Sequence, residues 1–442
     1  MTREASISRR VGVGLSVLAV IEILTGFAVQ TLIVGVVGAN RLSDAYFIAA
    51  ALPQFFLTVL GAPVVSVLIP LLAATDDGHE RARATVILLW TLGIATACAI
   101  VAAATSSLWL PRIFPSFTGS EESLVLQLAV VQLLSIAPTA GCAVWKAACY
   151  ARRRFVGAEA ISVGGAVASL VALVILLPRY GVIAAVWITL IRYTLTLGAL
   201  LLFERVTRPA PFRGPFAREV WQRTRPLVAG AVYFKSEPLV DQHFASLAPA
   251  GDLSVFSFCR TLLSSALMVL SQALVSPIIP EVAVLAKRGE WVRLRAKMHQ
   301  RMLFVGVAAS VGVVVIAIAG PFVLDFVASI SARAAAMPLH TLWVLMLLLA
   351  GIPIAAGTTQ IVTATYYALG ETTLLTKLGV VNYTIGIGLK LVGFHLYGLW
   401  GLAVATSIYY VIDTGVQWLV LEAKLQRAIR TASGTTAPSE PS

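Results

Sequence analysis

Charge is scarce in this sequence. Only 12% of its 442 residues are Asp, Glu, Lys or Arg, and histidine occurs five times. A soluble globular domain carries about 25% charged residues, so there is too little polar surface here to clothe an autonomous soluble catalytic domain. Cysteine is nearly as rare: Cys98, Cys142, Cys149 and Cys259 all fall inside apolar runs, without the spacing of a metal site or a disulfide framework. No phosphate-cradling glycine loop, dinucleotide fingerprint or zinc-spaced His/Cys cluster is found. ATP-driven pumping within this chain is therefore not expected, and no cofactor or metal is called for.

Apolar sequence is what the chain has in excess. It is 58% hydrophobic with a mean hydropathy of +0.88. A helix crossing a hydrocarbon core of roughly 30 Å needs about 20 mainly apolar residues, and such runs follow one another almost without interruption. The sequence predicts twelve spans: 11–38, 44–73, 84–110, 124–149, 155–178, 181–204, 226–248, 253–283, 302–329, 337–368, 374–396 and 398–423. Backbone exposed to lipid must satisfy its own hydrogen bonds, and the runs are too long for barrel strands, so the fold class is an all-α polytopic membrane protein. The pair Arg9 and Arg10 ahead of an apolar run looks like a secretory signal, but that run continues to Gly38, and it is taken as the first span.

Basic residues predict the orientation. With the N-terminus inside, the inner segments hold 23 Lys and Arg, whereas the outer loops hold only Arg41, Arg112, Arg179 and Arg333. That bias places both termini in the cytoplasm. It also accounts for much of the net charge of +12, so the basic balance points to anionic membrane lipids and not to nucleic acid.

The chain also repeats itself. "ACYARRRF" and "LPRYGVIAAVWITLIRY" align with "TYYALGET" and "FHLYGLWGLAVATSIYY" at an offset of 217, pairing Tyr150 with Tyr367, Tyr180 with Tyr397 and Gly181 with Gly398. A second alignment at offset 210 brings Ser66 onto Ser276 and Pro70 onto Pro280. Six spans per half preserve orientation, so the halves are parallel repeats about an axis along the membrane normal. The expected organisation is a lobe at 1–204, a basic linker at 205–225, a second lobe at 226–424 and a disordered tail at 425–442. A cavity between two such lobes suits transport. In the linker, Phe212, Phe216, Val220 and Trp221 are expected at the membrane interface; a similar short amphipathic segment is expected at 285–302, with Trp291, Leu294 and Met298 on one face.

Two stretches carry a family resemblance: "GANRLSDAYFIAAALPQFF" with "VLIPLLAA", and "FASLAPAGDLSVFSFCRTL" with "SPIIPEVA". They resemble the lipid II flippase family MurJ (MviN) over about residues 26–421. The resemblance implies the MATE-like fold of the multidrug/oligosaccharidyl-lipid/polysaccharide exporter superfamily, placed in a bacterial cytoplasmic membrane. It further implies a polyprenyl-pyrophosphate-linked sugar as substrate, H+ or Na+ as coupling ion, and cell-envelope glycan synthesis enzymes as partners. Asp44 matches the family's acidic position in the second span and Arg260 its basic position in the eighth. The family's other cavity arginines fall on Ile23, Val29, Leu57 and Thr58, and the chain has twelve predicted spans where these flippases usually have fourteen. Those departures widen the substrate from lipid II to related lipid-linked glycans such as an exopolysaccharide repeat unit.

Ionisable residues inside spans cost roughly 2.5–3.5 kcal/mol each on insertion scales, which marks them as functional candidates. Lys235, Glu237 and Asp241 lie in the seventh span, Arg260 in the eighth and Arg192 in the sixth, with Glu22, Lys377, Lys390 and Asp413 weaker candidates. Glu237 and Asp241 share a helical face; Lys235 does not. Pro238 should kink the span beside them. Asp241 and Arg260 are about equally far from the turn at "APAGD", which suggests a pair. Arg260, Lys235 and Arg192 are the candidate ligands of a pyrophosphate; Asp44, Glu237 and Asp241 are candidates for gating or ion coupling. Structural alternatives stand beside these roles: an Asp241–Arg260 bridge can serve only to tie two helices, Arg192 can be an internal partner, and Asp44 can cap the second helix. The competing functions are an ion-coupled exporter of cationic drugs and a membrane glycan polymerase or ligase. The short outer loops, the longest being "PRIFPSFTGSEES", disfavour the enzyme.

Overall fold

In a computed structural model the described residues are 2–73, 80–209, 214–271, 278–330 and 338–434. Among them the regular elements are helices: α1 Thr2–Val37, α2 Arg41–Phe56, a π-helical turn Leu57–Gly61, α3 Ala62–Ala73, α4 Glu80–Ala104, α5 Ser106–Ile113, α6 Ser120–Leu134, α7 Ile136–Ala151 and α8 Phe155–Phe203. There follow α9 Pro215–Phe234, α10 Glu237–Ser246, α11 Asp252–Leu270, α12 Ile278–Lys287, α13 Trp291–Ile330, α14 Leu339–Leu348, α15 Gly351–Ala368 and α16 Thr372–Gly434. Among the described residues eight stretches are long and apolar enough to cross a membrane, and two of them, Phe155–Phe203 and Thr373–Thr431, each hold two predicted spans. The seventh and eighth predicted spans fall outside the eight, the seventh being split between α9 and α10. Outward-facing side chains such as Leu202 (82% exposed) and Phe322 (73%) would aggregate in water and suit a bilayer.

The repeat is visible in the backbone. Gly181 (φ 59°, ψ −150°) and Gly398 (φ 56°, ψ −136°) each join two spans through a single non-helical turn. The sequence pairs these two glycines, and their left-handed φ explains why glycine serves at both. At the same offset, Arg153 (φ 59°) and Gly370 (φ 73°) both end a helix in the left-handed conformation. Their capping bonds correspond one for one: Arg153 N–H donates to Tyr150 O and Arg154 N–H to Cys149 O, as Gly370 does to Tyr367 O and Glu371 to Tyr366 O. Trp145 Nε1 donates to Leu200 O (3.0 Å) in the first half, and Tyr366 OH donates to Gln417 O (2.9 Å), the matching carbonyl, in the second.

Several predicted spans are broken. The second contains Pro53 and Pro63, whose missing donors flank the π-turn. The fourth breaks at Ser135 and the tenth at Leu349–Ala350; at the offset of 217 the bond from Ser135 N–H to Gln132 O corresponds to that from Ile352 N–H to Leu349 O. The seventh breaks at Lys235–Ser236, just ahead of Pro238, which sits in the first turn of α10 where no donor is missed.

Two amphipathic segments differ from expectation in their continuity. Residues 215–225 of the linker form the opening turns of α9 and run on into the seventh span. Trp291, Leu294 and Met298 do face a core, packed with Ile361, Val362, Tyr366 and Leu421. Their helix, however, continues unbroken through the ninth span to Ile330; the chain bends instead at Gly289 (φ 70°). Phe212 lies outside the described residues. At the far end α16 reaches Gly434, because "EAKLQRAIR" holds good helix formers without a breaker.

By packing, the chain forms two compact units, Met1–Ser257 and Phe258–Ser442. The division falls later than the repeat boundary read from the sequence because α9 packs on α3 and α4, and α10 on α2. The first unit has a core around Trp145, Leu68, Leu72 and Leu200. In the second, the helices flanking Gly398 approach so closely that a Cβ on Gly401 would lie 1.9 Å from the Gly393 carbonyl oxygen. Gly401→Ala should therefore destabilise the protein by about 3 kcal/mol or more. Gly388→Ala, in open space on the same helix, should be neutral or better; equal melting temperatures for the two variants would show that the close approach is not needed.

Candidate functional site

Asp44 is fully buried in the first turn of α2. Its Oδ2 accepts the Gly251 N–H (2.7 Å), and its Oδ1 accepts both the N–H (2.8 Å) and the hydroxyl (2.8 Å) of Ser254. These donors belong to the start of α11, where backbone N–H groups have no intrahelical acceptor. Asp44 therefore caps the repeat-mate of its own helix. Its own helix is capped by Asn40, whose side chain accepts from the N–H groups of Leu42 and Ser43. The alternative that Asp44 caps the second helix is thus replaced by a longer-range role. Ser43 Oγ also donates to Ser254 Oγ (3.0 Å), so the two helix starts are joined twice.

Around this junction α10 lies against α2, with Gln242 Nε2 donating to Phe47 O (3.3 Å). Asp241 on α10 is fully buried, Glu237 opens α10 half-buried, and Lys235 at the break is exposed. Arg260 is half-buried on α11, in the second unit. Arg192 on α8 stacks over the Tyr193 ring at 5.1 Å and approaches Glu22 of α1 at 4.0 Å. It thus has a carboxylate neighbour, in line with a structural share in its role. His243 meets the Ile113 carbonyl, tying α10 to the end of α5.

Sequence reasoning gave too little weight to a polar cluster in the second unit. Asp413 Oδ1 accepts from Asn382 Nδ2 and Gln417 Nε2, both at 2.8 Å. Lys390 is fully buried, its ammonium 5.2 Å from the Tyr409 ring centre. Asp413 and Gln417 stand four residues apart on one helical face, a signal present in the sequence; Asn382 comes from the preceding span and could not be paired by spacing.

A third group lies at the helix ends. Glu204, 2% exposed, receives Arg81 Nε (2.7 Å), Arg154 Nη1 (2.9 Å) and Arg152 Nη1. In the second unit Glu422 receives Arg295 Nη2 (2.5 Å) and stands 3.0 Å from His299 Nε2. Each carboxylate gathers basic residues from other helix boundaries of its own half.

The family model described as "Lipid II flippase MurJ" matches residues 33–439. No curated protein matches the chain. Among solved structures, a lipid II flippase MurJ in an inward closed conformation is similar with a TM-score of 0.77 and 16% identity, covering 92% of this chain and 87% of that one. An inward-facing multidrug resistance MATE family transporter of the MOP superfamily gives 0.78 and 14%, covering 95% and 99%. A MOP superfamily transporter from Pyrococcus furiosus gives 0.62 and 15%, covering 95% of each.

Proposed function

The chain belongs to the lipid II flippase MurJ family, and from that membership we propose that it moves a polyprenyl-pyrophosphate-linked sugar from the inner to the outer leaflet by alternating access. The observation that carries this reading is the family match over residues 33–439. It is supported by an all-helical fold with eight stretches able to cross a membrane. Charged groups held within those helices, at a cost that must be offset, add to it. Orientation with both termini cytoplasmic is part of the proposal and rests on the distribution of Lys and Arg.

Arg260 and Lys235 are the proposed contacts for the pyrophosphate, with Arg192 behind them; exposed Lys235 at a helix break and half-buried Arg260 are accessible enough for that task. Asp44 acts in gating, because the junction it makes with Gly251 and Ser254 must open if the two helix starts separate. A coupling H+ or Na+ would be taken up by Glu237 or Asp241, with Asp413 a further carboxylate for this role. Asp241 and Arg260 are proposed as a pair on their equal spacing from the turn. Lipid II itself or an exopolysaccharide repeat unit both fit, and glycan-synthesising enzymes of the cell envelope would supply or consume the sugar. No catalytic step is proposed.

The second reading, an ion-coupled exporter of cationic drugs, is favoured by the equally high TM-score of the MATE transporter. One assay separates the two. In vesicles, leaflet accessibility of a fluorescent polyprenyl-pyrophosphate sugar should change with the intact protein, and Arg260→Ala and Lys235→Ala should each slow it by about tenfold, the worth of one charge-assisted hydrogen bond. Export of a cationic dye with no movement of any lipid-linked sugar would install the exporter reading. Full rates in either variant would remove that residue from the site.

A further inference from the structure

A groove in the first unit lies apart from these charged residues. Its volume is about 440 Å³, and its wall includes Phe56, Leu60, Trp90, Ile94, Val220 and Trp221. Such a space falls in the roughly 300–1,000 Å³ range of small-ligand pockets. Phe56 and Leu60 reach it from the π-turn region of the second span, a distortion found mostly at functional sites. Trp90 (44% exposed) and Ile94 (40%) also lie on the outward face of α4, so the groove opens sideways into the acyl region of the bilayer.

Three polar residues break the apolar lining, Thr91 on α4 and Arg218 and Thr224 on α9. Arg218 stands at the end nearest the basic linker; its side chain is exposed and has no ion-pair partner among the described residues, whereas its neighbour Arg223 is held by Glu219 at 2.6 Å. Thr224 lies six residues further on, about 9 Å along the helix. Its hydroxyl is buried, the residue being 3% exposed, and has no hydrogen-bond partner among the described residues. A buried hydroxyl left alone in an apolar wall is costly, and an oxygen of a bound molecule would satisfy it.

We propose that this groove is a resident site for one anionic phospholipid, with its phosphate on Arg218, an ester carbonyl accepting from Thr224 Oγ1 and an acyl chain along Trp90, Ile94 and Phe56. Charge selects the headgroup, since a guanidinium binds phosphate strongly and repels nothing in an anionic lipid. Thr224 selects the lipid class. A glycerolipid carries an ester carbonyl just below its phosphate, whereas a polyprenyl phosphate has only hydrocarbon at that depth and leaves the hydroxyl unsatisfied. The two tryptophans suit the same level, where amphipathic rings collect. The site depends on membrane embedding and on α9, not on the identity of any transported substrate.

The test is native mass spectrometry of the full-length protein in detergent micelles doped with phosphatidylglycerol, phosphatidylcholine or undecaprenyl phosphate. The intact protein should retain one phosphatidylglycerol about tenfold better than phosphatidylcholine. R218Q should erase that preference, T224V should weaken both phospholipids, and R223Q should change nothing. Equal losses in R218Q and R223Q would reduce the effect to diffuse charge and overturn the proposal. So would tighter retention of undecaprenyl phosphate with T224V silent, which would make the groove a tail site.

Discussion

Asp44→Ala is expected to lower unfolding stability by about 3–5 kcal/mol, the cost of breaking a buried charge's interactions, and to abolish transport. The carboxylate accepts three hydrogen bonds of 2.7–2.8 Å while fully shielded from solvent. Removing it leaves the N–H groups of Gly251 and Ser254 at the start of α11 without acceptors in surroundings that water does not reach, while the Ser254 hydroxyl keeps the Gly251 carbonyl at 2.8 Å. The turn that presents these donors is tight: Gly251 is at φ 94°, and a Cβ there would lie 2.4 Å from the Ala39 carbonyl oxygen. Asp44→Asn should lose about half as much, since one side-chain oxygen still accepts from Ser254 while the amide nitrogen confronts the Gly251 N–H.

The same substitutions have a readout besides melting temperature. Burial first, and the Asp44 charge second, hold the Asp252 carboxyl above the usual carboxylate range. Neutralising Asp44 should bring Asp252 down toward that range, followed by NMR of a selectively labelled protein. Melting of Asp44→Ala alongside the parent would show that this junction is open in the membrane.

Glu204→Ala should cost a comparable 3–5 kcal/mol. Three guanidinium groups converge on this one carboxylate, and its residue also provides a carbonyl that accepts from Trp145 Nε1 at 3.2 Å. Without it, Arg81, Arg152 and Arg154 face one another at short range with Glu80, 3.7 Å from Arg152, as the remaining nearby carboxylate. Removing one of the three in the Glu204→Ala background should restore part of the loss, a coupling of about 0.5–3 kcal/mol in a double-mutant cycle. Glu422→Ala should cost less, because that side chain is 12% exposed and its partners Arg295 and His299 can turn to water. Thermal melts of the parent, the two single variants of the cycle, their double and Glu422→Ala decide the matter; equal losses at Glu204 and Glu422 would mean that burial does not set the scale.

The spans were legible because lipid imposes a length and an apolar composition that few other environments demand. The repeat was legible for a related reason: Gly181 and Gly398 satisfy a backbone requirement that only glycine meets cheaply, so the same letter recurs at the same place. Tertiary partnerships were not. Asp44 stood out as an acidic residue, but its donors lie 207 and 210 residues away, and no local spacing announces them. Glu204 read as the end of a span because its three arginines come from two other helix boundaries. The breaks at 57–61 and at Ser135 were hidden inside continuous apolar runs, where hydropathy does not distinguish an α-turn from a wider one.

The tight joints at Gly181 and at Tyr397–Gly398 carry a mechanical consequence. A helix pair linked without slack must tilt as one stiff plate, since there is no slender connector to absorb relative sliding. Bending is then concentrated where the rods are already interrupted, at 57–61, Ser135, 235–236 and 349–350. Stiffening those four interruptions should freeze the molecule, whereas bracing the already rigid plates should leave its strokes untouched.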